Sequence, residues 1–111
     1  MTAKTKDEWL NWYLERTGDE ELELFPNEII DFHPEHGFIV YQVDTDKGVL
    51  YSHHTCGDGK YWVRIYKSIM ELYGLKKLIG YTERNPEAWI RKYGGHIKGY
   101  DLEVNIDELK V

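Results

Sequence analysis

Only one cysteine, Cys56, occurs in the chain. A lone thiol excludes an internal disulfide and predicts a reducing, cytoplasmic setting. No apolar run approaches the ~20 residues needed to span a bilayer, so no membrane partner is expected. The opening stretch, MTAKTKDEWLNWYLERTG, lacks the apolar region of a secretory signal. Positive charge is scarce, and the formal net charge is −6. Phosphate-backbone binding needs clustered Lys and Arg, which argues against a nucleic-acid partner. There is no internal repeat, linker or low-complexity segment. The 111 residues therefore read as one domain, 1–111, sized for one modest core.

What the chain does have is aromatic bulk. Four Trp and nine Tyr supply large buried area per residue. Charge is unevenly spread. Residues 1–48 carry 4 Lys/Arg against 12 Asp/Glu, a balance of −8, whereas residues 49–111 carry 10 against 8, a balance of +2. The acidic part suits a cationic substrate, or simply solubilises, and the remainder tolerates phosphates.

Periodicity divides the chain into elements. Residues 6–16 predict an amphipathic helix with Thr5 and Glu8 as a capping box, an apolar stripe of Trp9, Leu10, Tyr13 and Leu14, and a stop at Gly18. Glu20–Phe25 alternates like an edge strand until Pro26 interrupts it, and Glu28–Phe32 is a second extended candidate. GFIVYQVD and GVLYSHHT, joined by a turn-rich loop over Asp44–Gly48, predict an antiparallel hairpin. Residues 60–73 are the strongest helical pattern, ended by Gly74. Residues 77–82 read as a buried strand, parallel to the strand ending at Thr55 through a right-handed crossover. Asn85-Pro86 opens another helix to Tyr93, with Asn85 as cap. Residues 96–106 form the last strand or strand pair.

One segment carries chemistry: His54-Thr55-Cys56-Gly57-Asp58-Gly59-Lys60, between a strand and the best helix. Glycines there free backbone amides to face an anion, and the helix N-terminus adds favourable partial charge. Two glycines fall short of a P-loop or a dinucleotide fingerprint.

With those residues in view, the chain resembles the GNAT-type N-acyltransferases from Gly48 to about Ile106. That family carries Gln/Arg-x-x-Gly-x-Gly/Ala where this chain has His54-x-x-Gly57-x-Gly59. Downstream, Asn85, Ala88, Tyr93 and Gly94-Gly95 follow the family's order, with Gly95 standing where Phe is usual. The resemblance implies an α/β fold: a GNAT-like mixed central sheet flanked by helices in three αβα layers. It implies acetyl-CoA as cofactor and direct transfer of the acetyl group to a primary amine. The cofactor would bind at His54, Thr55, Cys56, Gly57, Asp58, Gly59 and Lys60, with the backbone amides of Cys56 to Lys60 on its pyrophosphate, and Asn85 would bond the arm near the thioester. Tyr93 would be the acid for the leaving thiolate. The strands near 50–54 and 78–82 would part to admit the pantetheine arm. A homodimer is compatible with this reading.

Deprotonating the amine needs a base or a water route. His53 is the residue assigned, with His33, Glu35 and Glu28 as further candidates. Other readings stay open. His33-x-x-His36, His53-His54 and Cys56 could converge on zinc, although adjacent strand residues point to opposite faces and Pro34 breaks a helical His-x-x-His. Cys56 could be a nucleophile activated by His54. Gly57 and Gly59 could instead make only a tight turn; if they form the cradle, a β-branched residue at Gly57 should abolish coenzyme A binding while the domain stays folded. A non-catalytic acidic interaction module, with its contact surface over 15–28, is the alternative function.

Overall fold

A computed structural model describes residues 4–18, 21–22, 24–80, 86–98 and 101–110. Helix α1, Lys6–Thr17, begins at the expected capping box: Thr5 accepts from the Glu8 amide, the Glu8 carboxylate accepts from the Thr5 amide, and Gly18 closes the helix. Strands β1 (Ile29–His33), β2 (Gly37–Asp44) and β3 (Val49–Gly57) follow. Helix α2 (Gly59–Tyr73), β4 (Lys77–Gly80), α3 (Pro86–Tyr93), β5 (His96–Lys98) and β6 (Asp101–Asn105) complete the order, with a short 3-10 turn at Ile106–Glu108.

The strands make one six-stranded sheet in the order β1-β2-β3-β4-β6-β5. The β3–β4 pair is parallel and the others are antiparallel, so the sheet is mixed, as the crossover through α2 required. The edge strand expected over Glu20–Phe25 does not form at the described residues 21, 22, 24 and 25. Instead Phe25–Glu28 turns, with the Glu28 carboxylate accepting the Phe25 amide at 2.7 Å. That local side-chain bond competes with a ladder. Asn85 lies outside the described residues.

Helices cover both faces of the sheet. Alternate residues of β2 enter two separate cores. Ile39 and Tyr41 join Leu50, Leu78 and Val104 beneath α2, which contributes Trp62, Val63, Tyr66 and Met70. Phe38 and Val40 join Cys56 beneath α1, which contributes Trp9. Two tryptophans then fix the β1–β2 turn from opposite sides. The Trp9 indole donates to the Pro34 carbonyl at 2.7 Å, and the Trp62 indole donates to the His36 carbonyl at 2.8 Å. At the far edge, buried Glu103 accepts from His96 at 3.0 Å and pairs with Lys77 at 3.4 Å, joining β5 and β4 to β6. Among the described residues no helix is long and apolar enough to cross a membrane.

Candidate functional site

Strand β3 changes register part-way along. From Asp44↔Val49 to Tyr41↔Ser52 it pairs with β2 in one register, and from Val40↔His54 to Gly37↔Gly57 in another. His53 is the residue left over, which makes a β-bulge. The parallel ladder with β4 runs from Val49↔Lys77 to Ser52↔Gly80. The strands are thus joined at 50–52, where a parting had been expected. Positions 53 and 54 have no β4 partner among the described residues. The bulge falls at the end of the described pairing.

The extra residue also cancels strict alternation. Ser52 reaches Tyr66 on the α2 side, whereas His54, two residues on, reaches Tyr13 of α1, with Tyr13 Oη 2.8 Å from His54 Nδ1. Thr55 returns to Tyr66. Tyr66 Oη lies 2.8 Å from Ser52 Oγ and 2.7 Å from Thr55 Oγ1, and those two oxygens are 3.2 Å apart. Burial pushes the Tyr66 phenol up to about 12, and the two hydroxyls pull it back only partly. Tyr66 falls within the helical pattern over 60–73, among apolar residues at helical spacing, and nothing in the sequence singles out Ser52. Nothing in hydrophobic period signals a bulge, because it is defined by the partner strand's register.

The two-glycine bend is built largely from within. Gly57 pairs with Gly37 at the end of the β2–β3 ladder, both with positive φ (99° and 103°). A Cβ on Gly57 would run into the His36 carbonyl oxygen. Its identity is therefore set by close backbone approach. The Asp58 amide donates to the His36 carbonyl at 2.8 Å, while the Asp58 carboxylate caps α2 by accepting the Tyr61 amide at 3.2 Å. Its other oxygen lies 3.1 Å from His36 Nδ1. Tyr93 Oη sits over Gly59, 2.5 Å from where a Cβ would stand. Burial, and then the Asp58 charge, raises the Tyr93 phenol.

This arrangement suits an anion along one edge of the bend. The first amides of α2, at Gly59 and Lys60, are helix-terminal donors with no intrahelical acceptor, and exposed Lys60 stands beside them. The Asp58 carboxylate stands at the same end, its charge shared with His36. Tyr93 and the bend meet at one place.

The remaining candidates sort by position. His53 is exposed at the bulge, with its ring stacked near Tyr51 at 6.4 Å. Glu28 caps its own turn, and His33 Nδ1 accepts the Glu35 amide at 3.1 Å. The rings of His33 and His36 do meet, 4.5 Å apart, but against Tyr61 and Asp58. Among the described residues no group of three or more His, Cys, Asp or Glu is placed to hold a metal ion. Cys56 is buried, and burial pushes its thiol up to about 12. A thiol held protonated in this way is no nucleophile.

A parallel strand pair, a bulge in one of its strands and a helix rising from a two-glycine bend now stand together. The chain superimposes on the crystal structure of Tetrahymena GCN5, a GNAT acetyltransferase, with a TM-score of 0.50 at 15% identity, covering 71% of this chain. The fold is GNAT-like. The chain spans 66% of the length of that GCN5 structure. No family model and no curated protein sequence matches it. Within a GNAT-like frame, β3, α2 and β4 are the elements that bring the bulge and the bend together.

Proposed function

We propose that this chain is a GNAT-like N-acyltransferase that uses acetyl-CoA and a primary amine as acceptor, with direct transfer between them. The observation that carries the reading is the bulge at His53 in β3, the strand that pairs parallel with β4, followed within six residues by the bend and α2. A thioester arm lying along β3 at the bulge has strand backbone on one side and the α2 N-terminus at its phosphate end. The coenzyme supplies an activated acyl thioester. The chain's own residues supply the rest. The amides of Gly59 and Lys60 and the Lys60 ammonium hold the phosphate end. The neutral imidazole of His53, exposed beside the bulge, takes the proton from the acceptor's ammonium. Tyr93 belongs with the phosphate end, as a hydroxyl donor over Gly59. In this proposal it is not the acid for the thiolate. The role of Asn85 near the thioester stands as part of the same proposal.

A second reading has specific support. The Asp58 carboxylate already caps the helix end that a diphosphate would use, and Leu24 and Phe25 are 51% and 65% exposed within the acidic segment. Those features suit a non-catalytic interaction module. Melting the protein with and without millimolar acetyl-CoA separates the two readings. A ligand that binds only the native state raises the melting temperature by mass action. The acyltransferase reading expects a rise. It also expects a larger one in Asp58→Asn, which keeps a capping side chain and removes its charge. His53→Gln should then lower turnover and spare binding. No shift in either protein leaves the interaction module.

A further inference from the structure

A tyrosine hydroxyl pays to be buried unless it is bonded, and a phenylalanine would fill the same apolar space beneath the sheet at no such cost. Tyr66 is fully buried on α2, among Trp62, Val63 and Met70. Its hydroxyl is aimed out of that apolar setting at β3 and meets both Ser52 and Thr55 there. These two residues flank the pair His53-His54, where the extra residue enters the strand. The His54 carbonyl, which can only accept, lies 3.5 Å away. The phenol thus clasps the bulge on both sides, from a helix whose position is set by the core. Ser52 and Thr55 are themselves open enough to solvent to take water instead, so their own satisfaction does not require Tyr66.

We infer that Tyr66 is a positioning residue: its hydroxyl holds the β3 bulge in the shape that the arm of an acyl-CoA meets. The inference rests on the acyl-CoA reading for its consequence, but the clasp itself can be tested without any ligand. A hydroxyl shared among three oxygens on one strand segment limits how far residues 52–55 can relax toward a regular ladder. Removing it should loosen those residues more than it unfolds the protein.

The experiment compares wild type with Tyr66→Phe. Amide hydrogen exchange is followed by residue, and affinities are measured for acetyl-CoA and for adenosine 3′,5′-bisphosphate, which has a phosphate end and no arm. The inference expects exchange at 52–55 to quicken on the order of tenfold relative to β2 and β6. It expects acetyl-CoA to weaken about tenfold while the bisphosphate is unchanged. A merely structural role would weaken both ligands alike, and that result, or unchanged exchange at 52–55, overturns the inference. If wild type binds neither ligand, the coenzyme reading fails, and the exchange comparison alone still decides the role of Tyr66. If Tyr66→Phe does not fold, Ser52→Ala with Thr55→Val removes the same contacts from the strand side. It must reproduce the local loosening for the inference to stand.

Discussion

At Gly57 a close approach of backbone to backbone already requires a glycine. A strand, a glycine and a helix predicted a phosphate cradle, and a β-branched residue at Gly57 was expected to remove binding and leave the fold intact. The backbone around it reverses that expectation. A side chain at Gly57 meets the His36 carbonyl, the same oxygen that receives the Asp58 amide and the Trp62 indole. Gly57→Ala should therefore destabilise the protein, by about 1–3 kcal/mol from backbone strain alone and more from the clash. Urea denaturation measures it, and a stability equal to wild type would contradict the geometry. Gly59 is the better position for testing the bend. There the obstacle is the end of the Tyr93 side chain, which can move, whereas a carbonyl in a ladder cannot.

Among the elements, those carrying a local signal were read correctly. The capping box of α1, the apolar face and Gly74 stop of α2, and the turn between β2 and β3 are each specified within a few residues. For α1 this gives a direct prediction. Thr5→Ala removes the acceptor of the Glu8 amide and should cost about 1 kcal/mol. The loss should appear as a lower denaturation midpoint with an unchanged slope. The segment at 20–25 failed for the opposite reason. At the described residues 21, 22, 24 and 25 no strand forms, and the Glu28 side chain offers the backbone at Phe25 a turn instead. The bulge was not legible at all, since the β-propensity of YSHHT is the same with or without an extra residue. It also breaks the strict alternation from which opposite faces for His53 and His54 were inferred. The relevant opposition is between Ser52 and His54.

For the whole molecule, the two cores sit on opposite faces of one sheet and each contains a titratable group that burial keeps neutral. Cys56 lies in the α1 core and Tyr66 in the α2 core, both raised to about 12 from ordinary values of 9.0 and 10.0. Above pH 9 the unfolded chain loses these protons first. It then binds fewer protons than the native state, so stability falls as pH rises. The contribution is fully present below pH 9 and is lost progressively up to about pH 12. Melting temperature should accordingly decline from about pH 9, with Cys56 unreactive to thiol reagents in the native protein. Cys56→Ala should flatten the first part of that decline. A melting temperature flat from pH 9 to 11, or rapid native-state thiol labelling, would contradict the burial of these groups.

By itself, the sequence determined the elements whose causes are local: caps, amphipathic faces, the hairpin turn and the handed crossover that makes β3 and β4 parallel. Those were sufficient for a mixed sheet, and the resemblance at the bend and downstream of it implied a GNAT-like one. Tertiary structure alone decided which atoms meet at the strand end. It placed Tyr93 over Gly59, gave the α2 cap to Asp58, introduced an extra residue at His53 and bound Ser52 and Thr55 to a tyrosine on another element. Helix and strand periods are properties of a few neighbouring residues. Register and side-chain encounter depend on a second segment's position, which no single stretch of chain encodes.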